Sequence, residues 1–115
     1  MKKTVKFLIV GLLSLLMFVI TSNDVDAASK PNYIITTDAT YPPFDFQDKN
    51  NQYTGIDQEI LKTIANRQGF TYTLKPMSFN AATQSVSSGQ ADGVIAGMSI
   101  TEERKAVFDF GTPYY

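Results

Sequence analysis

Segments with strand periodicity alternate with segments of helical periodicity, and this alternation constrains the fold more than any other feature. Strand-like runs rich in β-branched and aromatic residues occupy residues 33–37, 70–75 and 94–96, and helical patterns occupy residues 57–68 and 80–88. Strands that alternate with helices form βαβ units, with a parallel sheet and right-handed crossovers. The sequence therefore predicts an α/β fold.

The clearest helix is predicted to begin at the N-cap Asp57 and to end at the C′ glycine Gly69. Its apolar face is predicted to contain Ile60, Leu61, Ile64, Ala65 and Gln68. A weaker helix is expected from the cap Asn80 through Ser88, because three serines lower its propensity.

The other segments are predicted to be loops and short strands. Residues 38–43 contain two consecutive prolines, which favours a loop without ladder bonds. Residues 44–46 and 52–54 flank a polar turn cluster and predict a small hairpin. A short helix starting at Thr101 is followed by residues 107–110, a candidate fourth strand.

The N-terminus has the pattern of a secretory signal peptide. Lys2, Lys3 and Lys6 precede an apolar run at residues 7–20, and small residues follow at Ala27 and Ala28. The alternative is a membrane anchor, but the apolar run is shorter than the roughly 20 residues of a span. We predict a signal peptide at residues 1–27, cleavage after Ala27 or Ala28, and an exported protein.

Composition excludes several classes of function. The chain has no cysteine, so the fold must hold without disulfides in an oxidising compartment, and no cysteine can carry a lipid anchor. Histidine is also absent, which removes the commonest catalytic base. From residue 28 onward, seven Lys or Arg face nine Asp or Glu, which argues against a nucleic-acid partner. No catalytic residue, cofactor or metal site is predicted.

Residues 91–105 have the pattern of an anion-binding loop. A buried strand is followed by Gly97, where a ligand can approach the backbone, and then by the hydroxyl of Ser99. Arg104 lies in the helix that begins at Thr101, and its guanidinium can bind a carboxylate with two parallel hydrogen bonds. The alternative is an ordinary strand-to-helix connection in which Arg104 pairs with Glu102 or Asp109.

Three loops are expected to meet at one edge of the sheet, because ligands in α/β folds bind beyond the carboxyl ends of the strands. They are residues 38–41, 77–80 and 97–104. Tyr41 and Phe79 can enclose an aliphatic stem, and Asp38 can accept a hydrogen bond from its distal end. With the Gly97 carbonyl and the Ser99 hydroxyl as acceptors for an ammonium group, the set fits an L-amino acid. The alternatives are core or rim aromatics and an Asp38 that caps its own loop.

The chain resembles the polar amino-acid-binding proteins of ABC importers, the family 3 solute-binding group. The resemblance is carried by TDATYPPFDF at residues 37–46, YTGID at 53–57, ADG at 91–93, AGMSITEERK at 96–105, DF at 109–110 and PYY at 113–115. It implies two α/β lobes of the periplasmic-binding-protein type II fold that close on a ligand. Residues 28–115 are then expected to be the first lobe, incomplete at the hinge.

The resemblance implies the same site residues: Asp38, Tyr41, Phe79, Gly97, Ser99 and Arg104. Residues 75–79 are similar to the glutamine-type version of the second loop, which favours glutamine, with arginine, lysine and histidine as alternatives. The implied partner is an ABC permease, separate or fused downstream, and the implied location is the periplasm or the outer face of the cytoplasmic membrane. Other readings are the sensing ectodomain of a membrane receptor and a periplasmic dehydratase on the same scaffold.

Overall fold

The computed structural model describes residues 28–115, so the predicted signal peptide at residues 1–27 lies outside the described residues. The strands are β1 (Asn32–Thr37), β2 (Thr40–Tyr41), β3 (Asp45–Gln47), β4 (Tyr53–Thr54), β5 (Thr71–Pro76) and β6 (Gly93–Val94). The helices are α1 (Ile56–Gln68), α2 (Phe79–Ser87) and α3 (Glu102–Lys105).

The main sheet is parallel and has the strand order β5-β1-β6. Strand β1 lies in the centre, and all six of its residues are in register with β5. Helix α1 connects β4 to β5, and helix α2 connects β5 to β6, which gives the predicted succession of strands and helices. The predicted α/β fold with a parallel sheet is confirmed.

The caps of both long helices differ from the sequence prediction. Gly55 is the N-cap of α1, and Asp57 is the second residue of the helix, where it is fully buried. Ser78 rather than Asn80 caps α2, since its side chain accepts from the Ala81 N–H. Gly69 ends α1 in the left-handed conformation, as predicted. No helix within residues 28–115 is long and apolar enough to cross a membrane.

The buried face of α1 is also displaced from the predicted one. The predicted residues Leu61 and Ala65 are buried, together with Asp57 and Gln58, whereas Ile64 is 46% exposed and Gln68 is exposed. The helix is therefore rotated so that two polar side chains at its start face inward. Their positions matter for the site described below.

The predicted hairpin is part of a second, antiparallel sheet with the order β2-β3-β4. Strand β2 pairs with β3 within residues 38–43, which the sequence predicted to be a loop without ladder bonds. The prediction failed because β2 ends at Tyr41, before the two prolines begin. This small sheet carries Tyr41 to the edge of the main sheet.

The C-terminal part of the described chain has less strand than predicted. Strand β6 contains Gly93 and Val94 only, and residues 107–110 form no strand. The backbone N–H groups of Val107 and Phe108 donate to the Arg104 carbonyl at 3.0 and 2.9 Å, so they continue the turn that ends α3. The predicted helix cap Thr101 is confirmed, since its hydroxyl accepts from the Arg104 N–H at 3.2 Å.

Candidate functional site

The three loops predicted to converge lie side by side at the carboxyl edge of the main sheet. The Met77 N–H donates to the Thr37 carbonyl at 2.8 Å, which joins the ends of β5 and β1. On the other side, the Ile95 N–H donates to the Thr36 carbonyl at 3.0 Å. Because the strands are parallel and in register, the chain leaves all three of them at the same edge.

Asp38 lies immediately after β1 and holds the beginning of α2. Its Oδ2 accepts from the Phe79 N–H at 3.0 Å, and its Oδ1 accepts from the Thr40 hydroxyl at 2.7 Å. The capping role that the sequence left open for Asp38 is therefore present. A carboxylate offers about four lone-pair sites, so two hydrogen bonds leave capacity for a ligand.

Arg104 lies over the ring of Phe79 and not beside an acid. Its guanidinium carbon is 5.2 Å from the ring centroid, and its Nη1 donates to the Ser99 carbonyl at 2.8 Å. The predicted alternative, a pair with Glu102 or Asp109, is absent from the described structure, where Glu102 pairs with Lys105 at 2.8 Å. The Ser99 contact uses one of five guanidinium N–H donors, which leaves a fork for an anion.

The aromatic wall of the site consists of Tyr41 and Phe44, and the sequence analysis did not assign Phe44 to the site. Tyr41 is 53% exposed and stacks on the buried Phe44, with ring centroids 5.3 Å apart and an interplanar angle of 24°. Gly97 has a φ of 57°, and a Cβ there would come within 2.7 Å of the Tyr41 ring. Only glycine allows this loop to approach the ring so closely.

A buried acid, Asp45, lies behind the wall. It is fully buried and accepts from the Thr37 hydroxyl and from Gln58 Nε2 at 2.9 Å. Thr37 has one hydroxyl hydrogen but also lies 2.6 Å from the Ile95 carbonyl. A protonated Asp45 can donate to Thr37 while Thr37 donates to Ile95. Burial, the largest influence, raises the pKa of Asp45.

The raised pKa of Asp45 predicts how stability changes with pH. A carboxyl whose pKa is higher in the folded state binds its proton more tightly there, so protonation stabilises the fold. This stabilisation is complete below the ordinary pKa of 3.8 and is lost as the pH rises through the raised pKa. In urea unfolding, the stability of wild type relative to Asp45→Asn should therefore increase as the pH falls, measured as the difference between their free energies of unfolding.

A matched variant controls for charge in this experiment. Asp109 is exposed, and Asp109→Asn removes one negative charge without touching the buried network. If wild type gained on both variants equally as the pH fell, net charge and not Asp45 would be the cause.

Within residues 28–115, no three His, Cys, Asp or Glu side chains are grouped so that they could hold a metal ion. The charges at the loop edge are a carboxylate at Asp38 and a guanidinium at Arg104, joined through Phe79. The arrangement can bind opposite charges at its two ends.

The family of this chain follows from comparison with known proteins. The sequence pattern of the bacterial extracellular solute-binding proteins, family 3, matches residues 33–115. The chain belongs to this family. Its α/β fold is that of the periplasmic-binding-protein type II domains, as the resemblance implied.

The chain is similar to an arginine-binding protein and to a substrate binding domain. The chain is 35% identical to the arginine-binding extracellular protein ArtP of Bacillus subtilis (strain 168) over 83% of its own length and 37% of that protein's length. It is 49% identical to substrate binding domain 2 of Lactococcus lactis GlnP in the open conformation, with a TM-score of 0.72, over 76% of this chain and 38% of that one.

A third similar protein is a single domain. It is the arginine-bound Phe57Trp mutant of domain 1 from TmArgBP, which is 36% identical with a TM-score of 0.69, over 73% of this chain and 65% of that one. The family 3 chain described here thus spans less than two fifths of ArtP and of the GlnP domain, but about two thirds of this single domain.

Proposed function

We propose that this family 3 protein binds a polar L-amino acid, with glutamine as the first candidate, and delivers it to an ABC permease. The observation that carries the proposal is the Asp38–Phe79–Arg104 arrangement. A carboxylate is bonded to the backbone of Phe79, and a guanidinium lies over the same ring. An amino acid with a polar side chain has an anionic group at one end and a hydrogen-bond donor at the other, which complements these two groups.

Each predicted site residue takes one part of the ligand in this proposal. Arg104 binds the α-carboxylate with two hydrogen bonds, and the Gly97 carbonyl and Ser99 hydroxyl accept from the ammonium group. Tyr41 and Phe79 enclose the aliphatic stem between their rings and exclude water from the polar contacts. Asp38 accepts from the amide or guanidinium of the side chain.

Glutamine and arginine both supply the donor that Asp38 requires. The resemblance of residues 75–79 to the glutamine-type loop favours glutamine, whereas ArtP is named as an arginine-binding protein and the TmArgBP domain is an arginine-bound form. Arginine would add a charge-assisted hydrogen bond to Asp38, and glutamine would avoid the cost of desolvating a cation. A titration must therefore compare the two amino acids directly.

The cellular setting is part of the proposal. A signal peptide at residues 1–27 would export the protein, and residues 28–115 would form a first lobe, incomplete at the hinge, in the periplasm or at the outer face of the cytoplasmic membrane. The permease would be separate or encoded downstream. The relatives are named as binding proteins, which supports binding over the dehydratase reading.

An amide NMR titration tests the proposal, because it detects weak as well as tight binding. We expect L-glutamine to shift the amide signals of Gly97, Ser99 and Arg104 in the full chain. 4-Aminobutanamide, which is glutamine without its α-carboxylate, should leave them in place. No shift with glutamine or arginine would contradict the proposed function. Tighter binding of arginine would contradict the choice of glutamine.

A further inference from the structure

Asp57 is a fully buried acid outside the predicted set of ligand contacts, and both of its carboxylate oxygens are used. Its Oδ2 accepts from the Gly97 N–H at 2.5 Å, and its Oδ1 accepts from the Tyr114 hydroxyl at 2.6 Å. Its own N–H donates to the Phe44 carbonyl at 2.9 Å. Asp57 therefore contacts the loop at residues 97–104 (the ligand loop), the segment at residues 111–115 and the backbone of Phe44 in the aromatic wall.

The bond to Gly97 fixes the conformation of the ligand loop. Gly97 is the residue whose carbonyl would accept from the ligand's ammonium group, and its φ of 57° brings it against the Tyr41 ring. A glycine has many accessible conformations, so a hydrogen bond at its N–H selects one of them. Asp57 supplies this bond from a helix, which is a more rigid support than the loop itself.

The hydrogen bond between Asp57 and Tyr114 connects α1 to the segment at residues 111–115, which packs against the aromatic wall. Burial and the adjacent Asp57 raise the pKa of the Tyr114 hydroxyl, which therefore keeps its proton and remains a donor. The next residue, Tyr115, packs edge-on against Phe44 with ring centroids 5.0 Å apart, and Phe44 stacks on Tyr41. The segment at residues 111–115 thus touches both the acid and the wall of the site.

We propose that Asp57 is a positioning residue for amino-acid binding: it holds Gly97 in the ligand-accepting conformation and joins that loop to Tyr114. The inference rests on the proposed function. Asp57 touches the ligand in no part of this scheme, and its effect on affinity passes through the Gly97 peptide. Because coupling between two sites is reciprocal, a bound amino acid should also strengthen the contact between Asp57 and Tyr114.

Three variants of the full chain test this inference. Asp57→Ala removes both contacts, and we expect it to weaken amino-acid binding by about 10-fold, as for the loss of one hydrogen bond to a charged group. Asp57→Asn should restore most of the affinity, because its oxygen can accept from Gly97 while its NH₂ donates to the Tyr114 oxygen. Tyr114→Phe keeps the Gly97 bond and should weaken binding less than Asp57→Ala.

Hydrogen exchange at the Gly97 amide is a second measurement, and it needs no ligand. We expect its hydrogen exchange to be slow in wild type and faster in Asp57→Ala, with Asp57→Asn in between. Equal affinity of wild type and folded Asp57→Ala, or unchanged exchange at Gly97, would overturn the inference. If Asp57→Ala does not fold, equal affinity of wild type, Asp57→Asn and Tyr114→Phe together with unchanged Gly97 exchange would do so.

The two measurements, amino-acid affinity and Gly97 hydrogen exchange, distinguish a failure of this inference from a failure of the proposed function. If wild type binds no L-amino acid, the proposed function fails, and a role of Asp57 in affinity fails with it. If wild type binds and folded Asp57→Ala binds equally well, only the positioning role is wrong. The wild-type titration is therefore recorded first, on the same labelled protein as the exchange data.

Discussion

Replacing Arg104 with alanine is expected to weaken amino-acid binding by about 100-fold. The guanidinium is the cation proposed to bind the α-carboxylate, and hydrogen bonds to charged groups contribute about 1.5–3 kcal/mol, where each 1.4 kcal/mol is about 10-fold in affinity. The Phe79 ring would also lose the cation that covers it at 5.2 Å. Affinities measured by NMR titration at constant ionic strength check the prediction.

The neighbouring residue supplies a matched control for Arg104→Ala. Lys105 has the same charge, lies in the same short helix and has a side chain that is 52% exposed, where it pairs with Glu102. Lys105→Ala is expected to leave binding unchanged, because exposed ion pairs contribute little. Arg104→Lys keeps the charge but loses the fork, and should bind with intermediate affinity. Equal losses in Arg104→Ala and Lys105→Ala would contradict a specific role for Arg104.

The architecture of the main sheet could be predicted because its strands and helices have clear periodicity and because the residues that end them are adjacent in sequence. Residues 33–37 are rich in β-branched and aromatic residues, residues 70–75 alternate as a strand does, and Gly69 between helix and strand ends α1 in the left-handed conformation. Such signals depend on a few adjacent residues. They identify the order of elements even where the tertiary contacts are unknown.

Element ends were predicted less well where tertiary contacts decide them. Asp57 is a good N-cap by type, yet Gly55 takes this place because the Ile56 and Asp57 N–H groups donate to the carbonyls of Pro43 and Phe44. A loop distant in sequence thus supplies the acceptors that a capping side chain normally provides. The i, i+4 spacing of Asp57 and Leu61 was the available sign that Asp57 faces inward.

The candidate site also contains residues that could be predicted from the sequence and residues that could not. Asp38, Tyr41, Phe79, Gly97, Ser99 and Arg104 could be selected because each lies in a loop after a strand or carries distinctive chemistry. Their partners could not be selected, since Phe44 and Asp57 act through packing and buried hydrogen bonds. Whether the six residues bind a ligand stays a prediction until the titration is done.

Gly55→Ala is expected to lower the free energy of unfolding by about 4 kcal/mol, among the largest effects of any single substitution. Gly55 has a φ of 122° and a ψ of 179°, a conformation that is essentially restricted to glycine. A Cβ there would also lie 2.2 Å from the Phe44 carbonyl oxygen and 2.8 Å from that of Pro43. Both atoms belong to the backbone, so no side-chain rotation can relieve the clash. Urea unfolding measures the loss.

Gly69→Ala separates the two causes of this loss. Gly69 also has a positive φ, 73°, but a Cβ there would meet nothing within 4 Å, so it should cost only about 1 kcal/mol of backbone strain. The excess cost at Gly55 then measures how tightly α1 docks on the carbonyls of residues 43 and 44. Equal costs would contradict that docking. Because the same helix start places Asp57 against Gly97, any Gly55→Ala protein that folds should also bind amino acids more weakly.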